Sequence, residues 1–359
     1  MNEEQTQIFQ GSVCPVPLHH NEKIVLGHGG GGKMTHDLIK KYFLPSFDNS
    51  ILRDGNDAAI IVYEGFDLAV STDAHVVWPL FFPGGDIGRL AVCGTVNDVA
   101  MLGATPQYLS ASFILEEGLD IEVLDRVIAS MHDAAEEANV KIVAGDTKVV
   151  QKGKADGLYI STTGFGVRIP GLEIGGAFAK PGDTVILSGT IGDHGIAVLE
   201  ARGELGFTAG VESDIAPLNH LVMEMIQAGN LLDGNAIHVL RDPTRGGLAT
   251  TLNEISAQSN CCIILDEEKI PVNPKVVAAC EMLGFDPLYI ANEGKLVAIV
   301  DTCKVDDILL AMRNNRLGIN AVAIGTVIAS PHNRVLIKTS LGSTRVVDML
   351  SSELLPRIC

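Results

Sequence analysis

Apolar residues follow strand-like and helix-like spacings in alternation along the first half of the chain. Continuous apolar runs predict strands at residues 23–26, 58–65, 67–73, 107–115, 141–146 and 157–167. Apolar residues three and four positions apart predict helices at residues 34–44, 85–104 and 121–140. A Glu-Gly pair separates the second and third strands, which predicts a hairpin. The first half is therefore predicted to be an α/β domain within an α+β protein.

The second half shows the same alternation. Its apolar runs predict strands at residues 184–190, 236–240, 261–265, 295–300 and 320–328, the last of these being the final strand of the chain. Helices are predicted to begin near residues 193, 214, 248 and 274. This pattern predicts a layered α/β domain.

A Gly- and Pro-rich stretch at residues 168–183 interrupts the alternation between the two halves. A chain of 359 residues is long for one hydrophobic core, which favours two domains. We predict a flexible N-terminal extension at residues 1–22, an N-terminal domain at 23–170 and a C-terminal domain at 171–345. Residues 346–359 show no strong periodicity and are predicted to form a mobile tail.

Composition narrows the possible partners. The net charge is −18 and aromatic residues make up 5% of the chain, so neither the positive charge nor the stacking surface for nucleic acid is expected. No uncharged apolar run approaches the roughly 20 residues of a membrane span, and residues 1–22 contain no apolar core of a signal peptide. These features predict a cytoplasmic protein. The seven cysteines lack metal-ligand spacing and are expected to be reduced, with the adjacent Cys261 and Cys262 in the core.

A run of glycines follows the first predicted strand, in the segment "LGHGGGGKMTH". Four glycines there would allow the backbone to approach phosphates closely: Gly29, Gly30, Gly31 and Gly32. This glycine run and Lys33 nearly match a P-loop, but Met34 stands where the magnesium-binding hydroxyl belongs. The run is either a nucleotide-binding loop of another kind or a flexible turn.

Four aspartates stand in short acidic motifs of the first half: Asp57 in "GNDAA", Asp73 in "STDAH", Asp98 in "VNDVA" and Asp146 in "AGDTK". Asp73 and Asp146 end predicted strands, where ligand groups are often mounted. Each aspartate taken singly is better explained as a turn or cap residue. Taken together beside a glycine run, they predict a site for Mg²⁺ and nucleotide, because Mg²⁺ prefers oxygen ligands and often bridges substrate phosphates.

Three further polar groups are candidates. Lys148 follows the fourth aspartate by two residues and is either a surface lysine or a contact for a phosphate or an oxyanion. The motif "RDPTRGG" places Arg245 at a predicted helix start, a second geometry for an anion, with Asp242 or Thr244 as a possible N-cap. Glu293 lies in a turn before a predicted strand, where a single glutamate is usually solvated.

The last residue, Cys359, has no packing role that the sequence explains. Prenylation requires the cysteine to be fourth from the end, so that pattern is absent. A terminal carboxylate is expected to raise the pKa of Cys359 unless Arg357 or a docking site compensates. From residue 346 the tail could extend about 45 Å, at about 3.3 Å per residue. Cys359 is therefore either a carried thiol, loaded at one place and unloaded at another, or a terminal residue without a role.

Over roughly residues 24–359 the chain resembles the HypE family of hydrogenase maturation factors, which are carbamoyl dehydratases. The resemblance rests on the segments "STDAHVVWPLFFPGGDIGRLAVCGTVNDVA", "FILEEGL", "GDTKVVQKG", "SGTIGDHG", "RDPTRGG", "ANEGKL" and "PRIC". The wider superfamily, which is similar to aminoimidazole ribonucleotide synthetase, shares the acidic motifs but not the terminal cysteine. The tail is therefore the discriminating element.

The resemblance implies a homodimer formed through the sheet of the N-terminal domain and a cleft that binds ATP with Mg²⁺. It also implies a reaction on the tail. A partner carbamoyltransferase would place a carboxamide on the sulfur of Cys359, and this chain would use ATP to dehydrate it to a thiocyanate. The cyano group would then pass to iron on a scaffold complex and become a ligand of the [NiFe] centre.

By motif match, the resemblance assigns residues to this chemistry. The glycine run and Lys33 would cover the phosphates, without acting as a P-loop. The Mg–ATP ligands would be Asp57, Asp73, Asp98 and Asp146. Lys148 would stabilise the carboxamide oxygen or phosphate, and Glu293 would be the base near the nitrogen. Two alternatives stay open: a small-molecule kinase or synthetase of the same superfamily, and a scaffold that presents a thiol without using ATP.

Overall fold

The computed structural model describes residues 23–203, 206–232, 234–351, 354–355 and 357–359. Within these residues the strands form two main sheets, one of five strands and one of seven, and helices accompany both. The predicted α+β class is therefore confirmed. The predicted extension at residues 1–22, with Cys14, lies outside the described residues.

The first sheet is built from residues 59–168. Strands of this half are β1 (Ala59–Tyr63), β2 (Phe66–His75), β3 (Phe81–Phe82), β4 (Gly85–Asp86), β5 (Ala104–Glu116), β6 (Lys141–Val150) and β7 (Leu158–Arg168). The sheet order is β1-β2-β7-β5-β6, with β3 and β4 forming a separate short pair. All neighbours in the sheet are antiparallel except β5 and β6, and the predicted β1–β2 hairpin is confirmed.

Two of the predicted helices pack beside this sheet. These two helices are α4 (Ile87–Met101) and α5 (Ile121–Ala138). Before β1 the chain forms α1 (Lys33–Leu38), α2 (Leu44–Phe47) and α3 (Ser50–Arg53). Asp86 starts α4 because its side chain accepts hydrogen bonds from two free N–H groups of the first turn, at 2.7 and 3.1 Å. A Cβ at Gly164 would lie 2.7 Å from a methyl of Thr95, so glycine on β7 lets α4 sit against the sheet.

Alternation along β2 decides which side chains face α4. Ala69, Ser71 and His75 are buried on the covered face, and Asp73 has the same parity. The residues between them point to the opposite side of the sheet, here termed the outer face. Asp73 therefore faces the helix that carries Asp98.

The outer face is uncovered in the single chain. It exposes Tyr108, Ile114 and Phe165, whose exposures are 46%, 43% and 42%. The edge strand β6 is exposed along nearly its whole length. An apolar sheet face with an unpaired edge is a surface on which another sheet can pack.

The predicted strand at residues 23–26 is wrong. Leu26–Gly29 forms a 3₁₀ turn, and the turn is stabilised by the His28 ring, whose Nδ1 accepts from the N–H of Val25 at 3.0 Å. No strand among the described residues pairs with this segment, so its apolar residues have no ladder to join.

The second sheet has the order β11-β13-β8-β14-β12-β15-β16. Strands of this half are β8 (Thr184–Leu187), β9 (Asn230–Leu231), β10 (Gly234–Asn235), β11 (Ile237–Arg241), β12 (Cys262–Asp266), β13 (Val297–Val300), β14 (Val322–Ile328), β15 (Arg334–Lys338) and β16 (Thr344–Val346). Its helices are α6 (Asp193–Ala201), α7 (Asn219–Ala228), α8 (Gly247–Gln258), α9 (Pro274–Leu283) and α10 (Val305–Asn314). The helix predicted from about residue 214 thus begins at Asn219, and α10 was not predicted.

The prediction that residues 320–328 form the final strand of the chain is wrong. Two more strands, β15 and β16, follow β14, because β15 pairs in parallel with β12 and extends the sheet edge. The predicted core position of Cys261 and Cys262 is confirmed, since both are buried. In the part of the chain that the structure describes, no helix is long and apolar enough to cross a membrane.

The end of the tail packs into the body of the protein. Ile358 is 4% exposed and joins the core between the N-terminal sheet and α4, with Leu355 and Cys359 beside it. The structure shows the end of the tail in a docked position only. The predicted mobility of residues 346–359, which requires the tail also to leave this position, stays a prediction. The docked tail brings Cys359 to the junction of the two halves.

Candidate active site

Four carboxyl groups gather where the two halves meet. Asp57 precedes β1, Asp73 lies in β2, Asp98 lies in α4 and Asp242 directly follows β11. Burial, and then the charges of the other three carboxylates, raise the pKa of Asp98 well above its usual range. Ser71 Oγ donates a hydrogen bond to Asp98 Oδ2 at 2.6 Å. The structure thus brings together three of the four predicted aspartates.

Asp242 is the carboxylate that sequence reasoning missed as a ligand. It was considered only as a helix N-cap, together with Thr244, but the N-cap position of α8 is Gly246 and no side chain caps it. Burial and the charge of Asp57 raise the pKa of Asp242 to about 8. The signal was present, since Asp242 follows an apolar strand, as ligand-mounting residues often do.

Asp57 is held by an arginine from the other half of the chain. Arg241 donates through Nη1 to Asp57 Oδ1, and through Nη2 to the carbonyl of Gly55 at 2.9 Å. Burial raises the pKa of Asp57, and the Arg241 charge opposes that rise. The second oxygen, Oδ2, is buried and has no hydrogen-bond partner. Such an oxygen is costly unless a cation or a donor reaches it.

The donor set fits Mg²⁺ that arrives with a nucleotide. Among the described residues, no three His, Cys, Asp or Glu side chains are arranged to hold a metal ion by themselves. Mg²⁺ commonly uses only one or two carboxylates and completes its shell with water and substrate phosphates. The unpartnered Asp57 oxygen and the mutually repelling Asp98 and Asp242 provide oxygen ligands that a divalent cation would stabilise.

Glu293 lies in the predicted turn before β13, yet it is buried and not solvated, with 3% exposure. Its N–H donates to Asp214 Oδ1 at 3.1 Å, and Asn97 Nδ2 donates to its carbonyl at 3.3 Å. Burial, followed by the charge of Asp242, raises the pKa of Glu293 well above its usual range. Its Oε1 has no partner. The geometry leaves this carboxyl free to accept a proton.

The thiol of Cys359 lies beside Glu293. The two side chains are close enough to interact electrostatically, and the guanidinium of Arg245 is also close enough to interact with the sulfur. Burial is the largest cause that raises the pKa of Cys359 well above its usual range, and Arg245 opposes the rise. The sequence analysis expected the terminal carboxylate to raise the pKa of Cys359, but burial is the main cause and Glu293 and Asp73 add to it. The docked sulfur is therefore an uncharged thiol.

The glycine run lies against the tail and Arg245. Lys33 donates from its N–H to the carbonyl of Leu350 at 2.8 Å, and Arg245 Nη1 donates to the carbonyl of Gly29 at 3.0 Å. A Cβ on Gly32 would lie 2.4 Å from the Leu350 oxygen, so this approach requires glycine. Contact with phosphates stays a prediction for this segment.

Asp146 and Lys148 lie away from the other candidates. Lys148 Nζ contacts both carboxylate oxygens of Asp146, at 2.8 and 2.6 Å, and both residues are exposed on β6. Asp146 was expected at the end of a strand, but β6 continues to Val150. The pair forms an ordinary surface ion pair within one chain.

Strand register shows how far Asp146 and Lys148 lie from Asp73 of the carboxyl cluster. Asp73 pairs with Thr162, Thr162 with Ala111, and Ala111 with Gly145. Three strand spacings of about 4.8 Å separate Asp73 from Gly145 by about 14 Å. Since Gly145 shares the covered face, the neighbouring Asp146 points to the outer face. One chain alone therefore does not bring Asp146 or Lys148 to the carboxyl cluster.

Comparisons with known proteins agree with this architecture. Residues 55–168 match the N-terminal domain, and residues 180–338 the C-terminal domain, of the family described as AIR synthase related protein. A protein of Cupriavidus necator named carbamoyl dehydratase HypE is 55% identical over 338 residues, which cover 94% of this chain and 95% of the relative.

Two solved structures are also similar. A crystal structure of a HypE–HypF complex has 49% identity and a TM-score of 0.82, covering 87% of this chain and 99% of the other. A crystal structure of the hydrogenase maturation protein HypE in complex with ATP has 49% identity and a TM-score of 0.77, covering 94% of this chain and 100% of the other.

The carboxyl cluster predicts a stability that falls with rising pH when Mg²⁺ and nucleotide are absent. With a pKa of about 8, folded Asp242 keeps a proton that the unfolded chain loses near pH 4. This contribution is complete below the unfolded value and is lost as the pH rises through about 8. From pH 6 to 8 the free energy of unfolding should fall by about 2 kcal/mol through this group.

Urea unfolding in EDTA measures this loss. Asp242→Asn should reduce the fall between pH 6 and 8, because an amide does not titrate. Asp125→Asn removes an exposed carboxyl of α5 and should leave the fall unchanged. Equal pH dependence in wild type and Asp242→Asn would contradict a buried, protonated Asp242.

Proposed function

This chain belongs to the HypE family of carbamoyl dehydratases, and on that premise we propose that it dehydrates a carboxamide carried on its own Cys359. The product is a thiocyanate, which supplies cyanide ligands for the iron of a [NiFe] hydrogenase. One observation carries the proposal: the tail docks with the sulfur of Cys359 close enough to Glu293 and Arg245 to interact with both, beside the buried carboxyl cluster. A terminal residue without a role would not be expected to be held in this position by specific hydrogen bonds to the end of the tail.

The chemistry requires the carboxamide oxygen to become a leaving group. ATP transfers its γ-phosphoryl group to that oxygen, and the C–O bond then breaks with phosphate as the leaving group. Loss of the N–H protons completes the C≡N bond, so one water equivalent leaves per ATP. The chain must therefore supply a base near the nitrogen and positive charge near the oxygen.

Glu293 is the base in this proposal. It contacts the sulfur that carries the carboxamide, and its unpartnered Oε1 can take up a proton. Its raised pKa makes it a stronger base once it is ionised, and the positive charges of Arg245 and of Mg²⁺ bound at the carboxyl cluster would favour that ionised form. Its burial also keeps water from competing for the nitrile.

Arg245 supplies positive charge close to the reacting group. Its guanidinium interacts with Cys359 and with Asp73, and its Nη1 donates to the carbonyl of Gly29. In the single chain Arg245 thus stands where the sequence analysis expected Lys148. We assign Arg245 to the carboxamide oxygen and keep Lys148 as a group that a second subunit contributes.

Asp57, Asp73, Asp98 and Asp242 would hold Mg²⁺ together with the phosphates of ATP. Bound there, Mg²⁺ offsets the negative charge of the γ-phosphate during transfer. The glycine run and Lys33 would cover the phosphates, in exchange for their present contact with Leu350.

The tail must leave the cleft to be loaded. Docking favours an uncharged sulfur, because burial raises the pKa of Cys359, whereas attack on a carbamoyl donor needs the thiolate. A carboxamide on sulfur is neutral and suits the same cleft. We propose that a carbamoyltransferase of the HypF kind loads the tail outside the cleft, in the cytosol, and that an iron-carrying scaffold complex later accepts the cyanide.

A second copy of this chain is part of the proposal. The outer face exposes Tyr108, Ile114 and Phe165 and carries Asp146 and Lys148. A homodimer that packs two outer faces together would cover the apolar residues and place one subunit's Lys148 near its partner.

The reaction predicts a mass change on the tail. With its tail carbamoylated, the purified protein should lose one water from the C-terminal peptide for each MgATP consumed, as measured by mass spectrometry. Glu293→Gln should keep the carboxamide and slow its dehydration at least a hundredfold, because the base is absent. Cys359→Ser is the control that carries no modified sulfur.

Other outcomes of that assay would favour the alternatives. Unchanged ATP turnover on a free small molecule after deletion of Cys359 would favour a kinase or synthetase. Normal hydrogenase maturation with Asp73→Asn would favour a scaffold that presents a thiol without ATP.

Mixed dimers test where Lys148 acts. Lys148→Ala and Cys359→Ala homodimers should both be inactive. After subunit exchange, each mixed dimer contains one complete site, in which the intact tail and cleft of one chain meet the intact Lys148 of the other. Because half of the dimers are mixed and each has one working site of two, about a quarter of wild-type dehydration should return. No recovery, with exchange verified by native mass spectrometry, would show that Lys148 acts only within its own chain, whereas an active Lys148→Ala homodimer would show that Lys148 has no role.

A further inference from the structure

The last residues of the tail are held mainly through their main chain. The N–H of Val76 donates to an oxygen of the terminal carboxylate of Cys359 at 3.1 Å, and the N–H of Trp78 donates to the carbonyl of Arg357 at 3.3 Å. The tail therefore lies along the segment after β2 in a strand-like pairing. This pairing sets the register of the sulfur relative to Asp73, which lies just upstream.

The helix α6 and the residue that follows it each contribute one side chain to the same stretch. His194, in its first turn, donates from Nε2 to the carbonyl of Ile358 at 2.8 Å, since a carbonyl can only accept. Its Nδ1 is then the acceptor for Ser213 Oγ at 2.8 Å, and Phe82 packs edge-on against the ring. The ring is buried and fixed in one tautomer by its two partners.

Arg202 stands just past the last residue of α6. Its Nε donates to the carbonyl of Trp78 at 2.9 Å, and its Nη2 donates to the carbonyl of Arg357 at 2.7 Å. One planar guanidinium thus links the tail to the segment beside which it lies. On the opposite side, the side chain of Arg357 donates to Asp156 and to the carbonyl of Val76.

We propose that Arg202 and His194 are positioning residues that dock the tail in the register that presents Cys359 to Glu293. The hydrogen bonds described above from Arg202 and His194 to the tail go to the peptide carbonyls of Arg357 and Ile358, so these bonds can form whether the sulfur carries hydrogen, a carboxamide or a nitrile. Contacts at the sulfur can then differ between these species without loosening the tail. The catalytic part of this inference rests on the proposed function, whereas the docking part does not.

Thiol accessibility tests docking without reference to activity. With nucleotide absent, alkylation rates of Cys359 and of the exposed Cys303 are followed in one sample by peptide mass spectrometry. Arg202→Gln should raise the rate at Cys359 about tenfold, the equivalent of one lost hydrogen bond of about 1.4 kcal/mol. The rate at Cys303 should not change, and Arg202→Lys should give an intermediate rate because an ammonium lacks the planar fork.

Arg313→Gln is the matched control. Arg313 also donates to a peptide carbonyl, that of Ala321 at 2.9 Å, but far along the chain from the tail contacts. It should leave the Cys359 rate at the wild-type value. A wild-type rate in Arg202→Gln would overturn the assignment, and so would an equal rise at Cys303, since that would indicate general loss of folding.

A kinetic readout separates this inference from the proposed function. With a carbamoylated tail, Arg202→Gln and His194→Gln should lower kcat for dehydration while leaving the KM for ATP unchanged. If Arg202→Gln exposes Cys359 and the wild-type protein never dehydrates its tail, docking is supported and the proposed function fails. If the wild type dehydrates its tail and Arg202→Gln matches it in kcat, the positioning role fails alone.

Discussion

Repulsion among buried carboxyl groups is the constraint on which the rest of this protein depends. Asp98, Asp242 and Glu293 all have raised pKa values because burial and their shared negative charge disfavour ionisation. Arg241 and Arg245 offset part of this charge. Whatever binds beside the cluster must therefore bring positive charge or be neutral. The Mg²⁺ that accompanies a nucleotide meets the first condition, and the uncharged thiol of Cys359 meets the second.

In the proposed reaction the tail would turn a reaction between two molecules into one within a single chain. A substrate group covalently attached to the tail would need no binding from solution and would meet the cleft at a high effective concentration. The hydrogen bonds described for the docked end are mostly to its main chain, and the donors are two N–H groups after β2 and the side chains of His194 and Arg202. Such contacts can be exchanged when the sulfur must reach a partner, as in the transfers proposed for this family.

The N-terminal sheet divides the candidate site residues between two faces. Asp73 lies on the face covered by α4, whereas Asp146 and Lys148 lie on the outer face among exposed apolar side chains. The same sheet therefore builds the carboxyl cluster and offers a surface for a second copy. Completing one site with a residue from another subunit would make the assembly part of the chemistry.

Local patterns in the sequence determined most of the helices and strands, because alternation of apolar residues directly reflects which face of an element is buried. Asp73 and Asp98 could be assigned to one site from their motifs, and Cys359 from its position and the family resemblance.

The tertiary structure decided what depends on distant contacts. Glu293 is buried by segments far away in the chain, Asp242 joins the cluster across the junction of the two halves, and strand register separates Asp146 from Asp73 although both stand in similar motifs. Burial, electrostatic coupling and register are properties of pairs of segments, and no single segment of the sequence contains them.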